Sequence, residues 1–212
     1  MIRNIIFDIG GVLIDLEPQR TLSALRGLSV LPIEELSDRS LLGGGQNELV
    51  DKYMTGDIAD EAFFEALVGR AKEGVTTEDL RRAWNSMMID LPARRVERIK
   101  ALHGEGVRIA LLSNINDEHL RVTKEMFAKA DFLLGRDYDY AFYSNELHLA
   151  KPDAKIYRLV LEQTGFVAQE TLYIDDLAQN VSAGEDVGLK GLCASGDEWL
   201  EAIRGMEFVR KV

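Results

Sequence analysis

Asn4-Ile5-Ile6-Phe7-Asp8-Ile9-Gly10-Gly11 is the stretch on which the reading of this chain turns. Residues Asn4–Phe7 form a short apolar run of strand-favouring side chains, and a carboxylate stops it at Asp8. A glycine pair follows, where the chain can turn sharply. Outward from this stretch the pattern recurs. Residues 107–112 read as a second buried strand ending at Ser113-Asn114, and Tyr140–Tyr143 as a weaker third. Residues 171–174 read as a fourth, ending at Asp175-Asp176, and Lys190–Cys193 as a short fifth. Helical patterns fit between them at 92–103, 117–127, 154–164, 179–187 and 198–203, the first bracketed by Pro92 and Gly104. Strands alternating with helices predict an α/β fold built on a Rossmann-like, mainly parallel sheet.

Between residues 16 and 91 the alternation stops. No convincing strand is visible there, and several amphipathic helices are. One covers 61–68, with Asp60 expected at its N-cap; another covers 78–88, opened by Thr76 or Thr77. Gly43-Gly44-Gly45 reads as a loop between helices. The expected organisation is a catalytic core of residues 1–15 and 92–212, with residues 16–91 inserted after the first strand as a helical cap domain.

Composition narrows the function. The 212 residues hold 25 Lys and Arg against 36 Asp and Glu, a net charge of -11. With no basic run to override it, that field disfavours nucleic acid and anionic membranes as partners. The single cysteine, Cys193, allows no internal disulfide and no cysteine-based zinc site. The first apolar stretch is too short and too acidic for a signal peptide, and no later one could span a bilayer. A cytoplasmic protein without an obligate protein partner is expected.

Asp8, Ser113 and Asp175-Asp176 each follow the carboxyl end of an expected strand, the rim at which open parallel sheets bind ligands. Singly, Asp8 could open a turn, Ser113-Asn114 could cap a helix, and Lys151, before Pro152-Asp153, could be solvated. The pair Asp175-Asp176 is harder to dismiss, because adjacent carboxylates repel and a cap needs only one. Beside Asp8 they call for a cation, and Mg2+ prefers such oxygen ligands. A carboxylate, a hydroxyl, an ammonium and a metal together suit phosphoryl transfer. Asp8 can attack phosphorus while Ser113, Lys151 and Mg2+ offset charge on the other oxygens.

Four ordered motifs resemble those of the haloacid dehalogenase-like hydrolase superfamily, over essentially the whole chain. They are Ile6-Phe7-Asp8-Ile9-Gly10-Gly11-Val12-Leu13, Leu111-Leu112-Ser113-Asn114, Lys151-Pro152-Asp153 and Tyr173-Ile174-Asp175-Asp176, the last followed by Asn180 and Ala183. Tyr53-Met54-Thr55-Gly56-Asp57-Ile58, with Phe63 beyond, resembles the helical cap of the superfamily's first cap class. The most similar branch contains bacterial α-glucose-1-phosphate phosphatases and the phosphatase domain of soluble epoxide hydrolase. The resemblance implies an aspartyl-phosphate on Asp8 and a magnesium site of Asp8, the carbonyl of Gly10 and Asp176. Asp175 would act through the metal's water or by orienting Lys151. It further implies that Ser113 and Asn114 hold the phosphoryl group, with Lys151 offsetting charge, and that the substrate is a small phosphorylated metabolite such as glucose 1-phosphate.

Gly10 departs from the family pattern, in which a second aspartate serves there as general acid and base. The departure argues against a phosphomutase. It also leaves two alternatives open: a metal-independent 2-haloacid dehalogenase, against which the pair Asp175-Asp176 speaks, and a non-catalytic protein that binds a ligand or a protein partner. The other candidates read as structural. His103, His119 and His148 are expected at the surface or at helix ends, Cys193 as a small buried residue, and Trp84 and Trp199 in cores. Asp15 could reach the site or serve a turn, and Gln46 and Asn47 could read substrate from the cap.

Overall fold

In the computed structural model, which describes residues 1–28, 36–41 and 47–208, the side chains of β1 (Asn4–Phe7) alternate between two apolar layers. Ile5 and Phe7 join one buried cluster with Ile109, Leu111, Leu172 and Ile174, while Ile6 joins another with Ala110, Leu112 and Tyr173. A strand buried on both faces belongs inside a parallel sheet. After β1 come β2 (Asp15–Leu16), α1 (Pro18–Gly27), α2 (Asp38–Leu41), α3 (Glu48–Met54), α4 (Asp60–Val68), α5 (Thr77–Asn85) and β3 (Met88–Asp90). The chain continues through α6 (Ala93–Gly104), β4 (Arg108–Ser113), α7 (Asp117–Lys129), β5 (Tyr140–Tyr143), α8 (Ser144–Leu147) and α9 (Ala154–Thr164). It ends with β6 (Thr171–Asp175), α10 (Ala178–Asp186), β7 (Lys190–Cys193) and α11 (Glu198–Ala202).

The five expected strands form one parallel sheet in the order β5-β4-β1-β6-β7. β1 sits centrally, with Phe7 in register with Leu111 on one side and Ile174 on the other. This register levels the carboxyl ends of β1, β4 and β6, so the residues following them share one rim. Trp199 of α11 packs edge-on against Phe7, ring centroids 5.0 Å apart, closing the layer beneath the rim.

The cap helices surround a separate apolar cluster in which Tyr53 stacks on Phe63 at 3.9 Å and Trp84 meets Phe63 at 4.8 Å. Thr76 opens α5 through a reciprocal capping box with Asp79. Two expectations are corrected here. The segment expected to lack strands contributes to a two-stranded antiparallel ribbon, β2 with β3, at the junction of cap and core. Elements of two and three residues are too short to show a period-2 pattern, so tertiary pairing alone creates them. Asp60 is not an N-cap. Ala59 holds that position, and the Asp60 carboxylate accepts from Tyr53 and Arg81 instead. Gly43-Gly44-Gly45 and Gln46 lie outside the described residues.

The cap docks through specific polar contacts. Arg81 bridges Asp60 of the cap and Glu118 of α7, the latter at 2.6 Å, and the Tyr53 hydroxyl accepts from the Glu118 amide at 3.1 Å. Trp84 stacks on His119 with centroids 5.6 Å apart. Among the described residues no helix is long and apolar enough to cross a membrane.

Candidate active site

The levelled strand ends bring together Asp8, Ser113, Asp175 and Asp176. Asp8 leaves β1 with its amide still donating to Ile174 O at 2.9 Å, so its position is an extension of the sheet register. Lys151 reaches them from the loop between α8 and α9. Its ammonium donates to Asp8 Oδ1 at 2.9 Å, Asp175 Oδ2 at 2.7 Å and Leu112 O at 3.2 Å. All three donors are thereby placed on acceptors, one just after β1 and one each in β6 and β4. Asn114 fixes the base of this lysine: its Nδ2 donates to Lys151 O and its Oδ1 accepts from Lys151 N, both at 2.8 Å. The side chain expected to hold a phosphoryl group is therefore engaged in positioning Lys151. Ser113 differs, since its hydroxyl makes only a long 3.4 Å contact to Asn114 O.

Asp175 is wholly buried, and both of its oxygens are occupied. Oδ2 takes Lys151 and the Tyr173 hydroxyl, Oδ1 takes the Leu177 amide at 2.9 Å, and Asn180 Nδ2 reaches both. Burial would raise its pKa, but the Lys151 charge and these hydrogen bonds override burial and hold it below the ordinary carboxylate value. Asp8 lies oppositely: burial first, then Asp175 and Asp176, push it well above that value against the pull of Lys151. Asp176 is pushed up to about 6, mainly by burial and then by Asp175. Burial works against the Lys151 charge, yet Asp175 and Asp8 keep its pKa raised, so it stays an ammonium.

One ammonium facing three carboxylates leaves negative charge uncompensated in a desolvated place. Carboxylate oxygens of Asp8, Asp175 and Asp176 lie within 4.8 Å of one another. Such hard, anionic oxygen donors fit a divalent cation like Mg2+. Gly11 supports the fit. Its φ of +75° suits glycine, and a Cβ there would stand 2.3 Å from Asp176 Oδ2, so the backbone cradles that carboxylate.

A cleft of about 590 Å3, counting its open mouth, lies over this cluster between core and cap. Asp8, Gly10, Ser113, Asn114, Lys151 and Asp176 line it, with Asn180 beside them. Asp15 is not among its lining residues. It lies on β2, paired with Arg95 at 2.7 Å. Asn47 accepts from Val50 N as the N-cap of α3.

Trp84 and Trp199 are fully buried, as expected. Cys193 is not buried: it ends β7, an edge strand with a neighbour on one side only, and is exposed. His119 is no surface residue either. It is buried under Trp84, with Nε2 3.2 Å from Trp84 O and Nδ1 3.2 Å from Asn116 Nδ2. Sequence reading also passed over Tyr173 as a partner of Asp175. The signal was present, because residues two apart on a strand share a face.

A family model described as haloacid dehalogenase-like hydrolase matches residues 2–188. The chain belongs to that family. Among relatives of this hydrolase, D-ribitol-5-phosphate phosphatase of Bacteroides thetaiotaomicron is 24% identical over 205 residues, covering 96% of this chain and 97% of its own. A sesquiterpene phosphatase of Aspergillus oryzae is 33% identical over 100 residues, 47% of the hydrolase and 48% of the relative. A crystal structure of a B. thetaiotaomicron enzyme of the family, in complex with magnesium and inorganic phosphate, superposes with a TM-score of 0.85. It is 27% identical and covers 96% of the hydrolase and 100% of that chain.

Proposed function

We propose that this hydrolase is a magnesium-dependent phosphatase acting on a small phosphorylated metabolite through an aspartyl-phosphate on Asp8. The observation carrying the reading is the Lys151 ammonium seated between Asp8 Oδ1 and Asp175 Oδ2, with the Asp176 carboxylate beside them. A carboxylate oxygen of Asp8 bonds to phosphorus as the ester P–O bond breaks, and the departing alkoxide takes a proton from water. Water then attacks the aspartyl-phosphate, inorganic phosphate leaves, and the Asp8 carboxylate is restored. The Ser113 hydroxyl meets the phosphoryl oxygens, and the Lys151 ammonium, its donors held by Asp8, Asp175 and Leu112 O, offsets their charge from beside the nucleophile.

Asp8, Asp176 and the Gly10 carbonyl would hold Mg2+. When bound, it supplies positive charge to the phosphoryl oxygens and relieves repulsion among the carboxylates. Asp175, with both oxygens engaged, acts mainly by holding Lys151. Phosphate-ester chemistry is supported by the two relatives, both phosphatases, and by the magnesium and phosphate in the neighbouring crystal structure. Glucose 1-phosphate remains a substrate to be tried, since the relatives' names range from a polyol phosphate to sesquiterpene chemistry.

The deciding experiment is a hydrolysis screen over phosphorylated metabolites and 2-haloacids, with magnesium and with chelator, using wild type and Asp8→Asn. Magnesium-dependent phosphate release by wild type and none by the folded variant is expected. Halide release without metal, and no phosphate release, would replace this reading with that of a dehalogenase. Substantial phosphate release by Asp8→Asn would remove the covalent mechanism.

A further inference from the structure

The cleft has two unlike halves. Its floor carries the charged cluster. Every described residue that the cap and its junction with the core contribute to the walls is apolar: Ile14, Leu16, Leu41, Met54, Met87 and Met88. Methionine is unbranched and polarizable and conforms to irregular apolar shapes, so three of them suit a hydrocarbon better than a ring of hydroxyls.

The polar groups that α7 adds do not change this character. His119 has both ring nitrogens occupied, by Trp84 O and by Asn116 Nδ2, so the Nδ1 acceptor and the Nε2 donor are already matched. Thr123 lines the same cleft and is wholly buried, and its hydroxyl has no hydrogen-bond partner. Among the described residues on that side it is the one side-chain group left to satisfy a polar atom of a ligand.

A polyol bound here would strip water from several hydroxyls, and the described wall residues would return a partner to one at most. An apolar group would lose no hydrogen bonds and would gain contact with the methionines and leucines. We infer that the physiological substrate is the phosphate monoester of a predominantly apolar alcohol, carrying no more than one hydrogen-bonding group beyond its ester oxygen. The inference rests on the phosphatase reading and specifies the leaving group, which that reading leaves open.

The test pairs two substrates of similar leaving-group chemistry, n-hexyl phosphate and sorbitol 6-phosphate, with wild-type enzyme and magnesium. Acetyl phosphate, activated and almost without a side group, reports on the chemistry alone. Binding of n-hexylphosphonate and of inorganic phosphate, measured by calorimetry, reports on the wall without turnover. A single hydroxyl forced on an apolar pocket costs about a hundredfold. The expected result is therefore a kcat/KM for hexyl phosphate at least about a hundredfold above that for sorbitol 6-phosphate, with hexylphosphonate binding more tightly than phosphate. Turnover of acetyl phosphate together with equal or faster turnover of sorbitol 6-phosphate would overturn the apolar assignment and leave the phosphatase reading intact. No turnover of acetyl phosphate would overturn the phosphatase reading. In that event, hexylphosphonate binding no tighter than phosphate would remove the apolar assignment as well.

Discussion

The Asp176 carboxylate lies against the backbone of Gly11 so closely that a Cβ on residue 11 would stand 2.3 Å from Oδ2. The neighbouring glycine is different. Gly10 does not have a positive φ, and a Cβ there would meet only Leu16 Cδ1, at 2.8 Å, the end of a flexible side chain. Gly11→Ala should therefore displace Asp176 and abolish most magnesium-dependent activity, whereas Gly10→Ala should fold and keep its metal response. Millimolar magnesium should raise the Tm of wild type and of Gly10→Ala by mass action, and raise that of Gly11→Ala far less. Equal magnesium-induced shifts in all three proteins would show that residue 11 does not shape the metal site.

Leaving-group dependence tests the missing acid. General acid catalysis typically contributes ~10²–10⁴-fold, most when the leaving oxygen departs poorly. With glycine at position 10, rates should depend steeply on leaving-group pKa, so an aryl phosphate should far outpace an alkyl phosphate of similar apolarity. Gly10→Asp is sterically open once Leu16 moves, and it should flatten that dependence. A shallow dependence in wild type would mean that another group delivers the proton.

Tyr173 and Asn180 brace Asp175, and Asp175 braces Lys151. Tyr173→Phe removes a hydrogen bond to a buried carboxylate, a cost of about 2 kcal/mol, which for a chain of this size is roughly 4–8 °C in Tm. Asp175→Asn should be far more damaging, because it leaves the buried ammonium with Asp8 as its single anionic partner in that pair and draws the nucleophile toward it. The prediction is a small drop in kcat for Tyr173→Phe and a loss of about 100-fold or more for Asp175→Asn, by analogy with the removal of oriented electrostatic groups. Comparable losses in both would mean the hydroxyl itself contacts substrate.

His119 makes the junction of cap and core sensitive to acid. Burial pushes its pKa down to about 4 from 6.5, against smaller upward pulls from its hydrogen bond to Trp84 and from Glu118. The unfolded chain binds the proton near pH 6.5 and the folded chain only near pH 4. The stability contributed by neutral His119 is thus present above pH 6.5 and lost as pH falls from there toward 4, by roughly 3 kcal/mol at the limit. Asp8 and Asp176, whose raised pKa values favour the folded state as pH falls, pull the other way, so urea titrations from pH 7 to pH 4.5 should show wild type losing stability relative to His119→Gln as pH falls. Identical slopes would place the acid sensitivity elsewhere.

Much of this molecule was legible in one dimension because its signals are local. Each core strand is a short apolar run buried on both faces, and each stops at a polar residue. Alternation with helical patterns dictates a parallel sheet, and a parallel sheet gathers its strand ends on one rim. That logic brings Asp8, Ser113 and Asp175-Asp176 together from sequence alone, with Lys151 joined to them by chemistry and resemblance. The same locality made Thr76 readable as a cap, since its partner Asp79 is three residues away.

What the tertiary structure decided depends on contacts between residues distant in sequence. The ribbon of β2 and β3 exists because Asp15 meets Asp90 across 75 positions, a pairing that elements of two and three residues cannot announce. Burial of His119 needs Trp84 from the cap above it, and exposure of Cys193 follows from the edge position of β7, fixed by strand order. Asn114 was expected to face a phosphate; it does line the cleft, and the loop bearing Lys151 passes beside it and bonds both ends of its amide. The two adjacent glycines look alike in sequence, yet only the fold lays the carboxylate of Asp176 against the second. Periodicity and polarity are properties of a segment and can be read from it. Which partner a side chain meets is a property of the packed whole, set where the burial of many distant residues is satisfied at once.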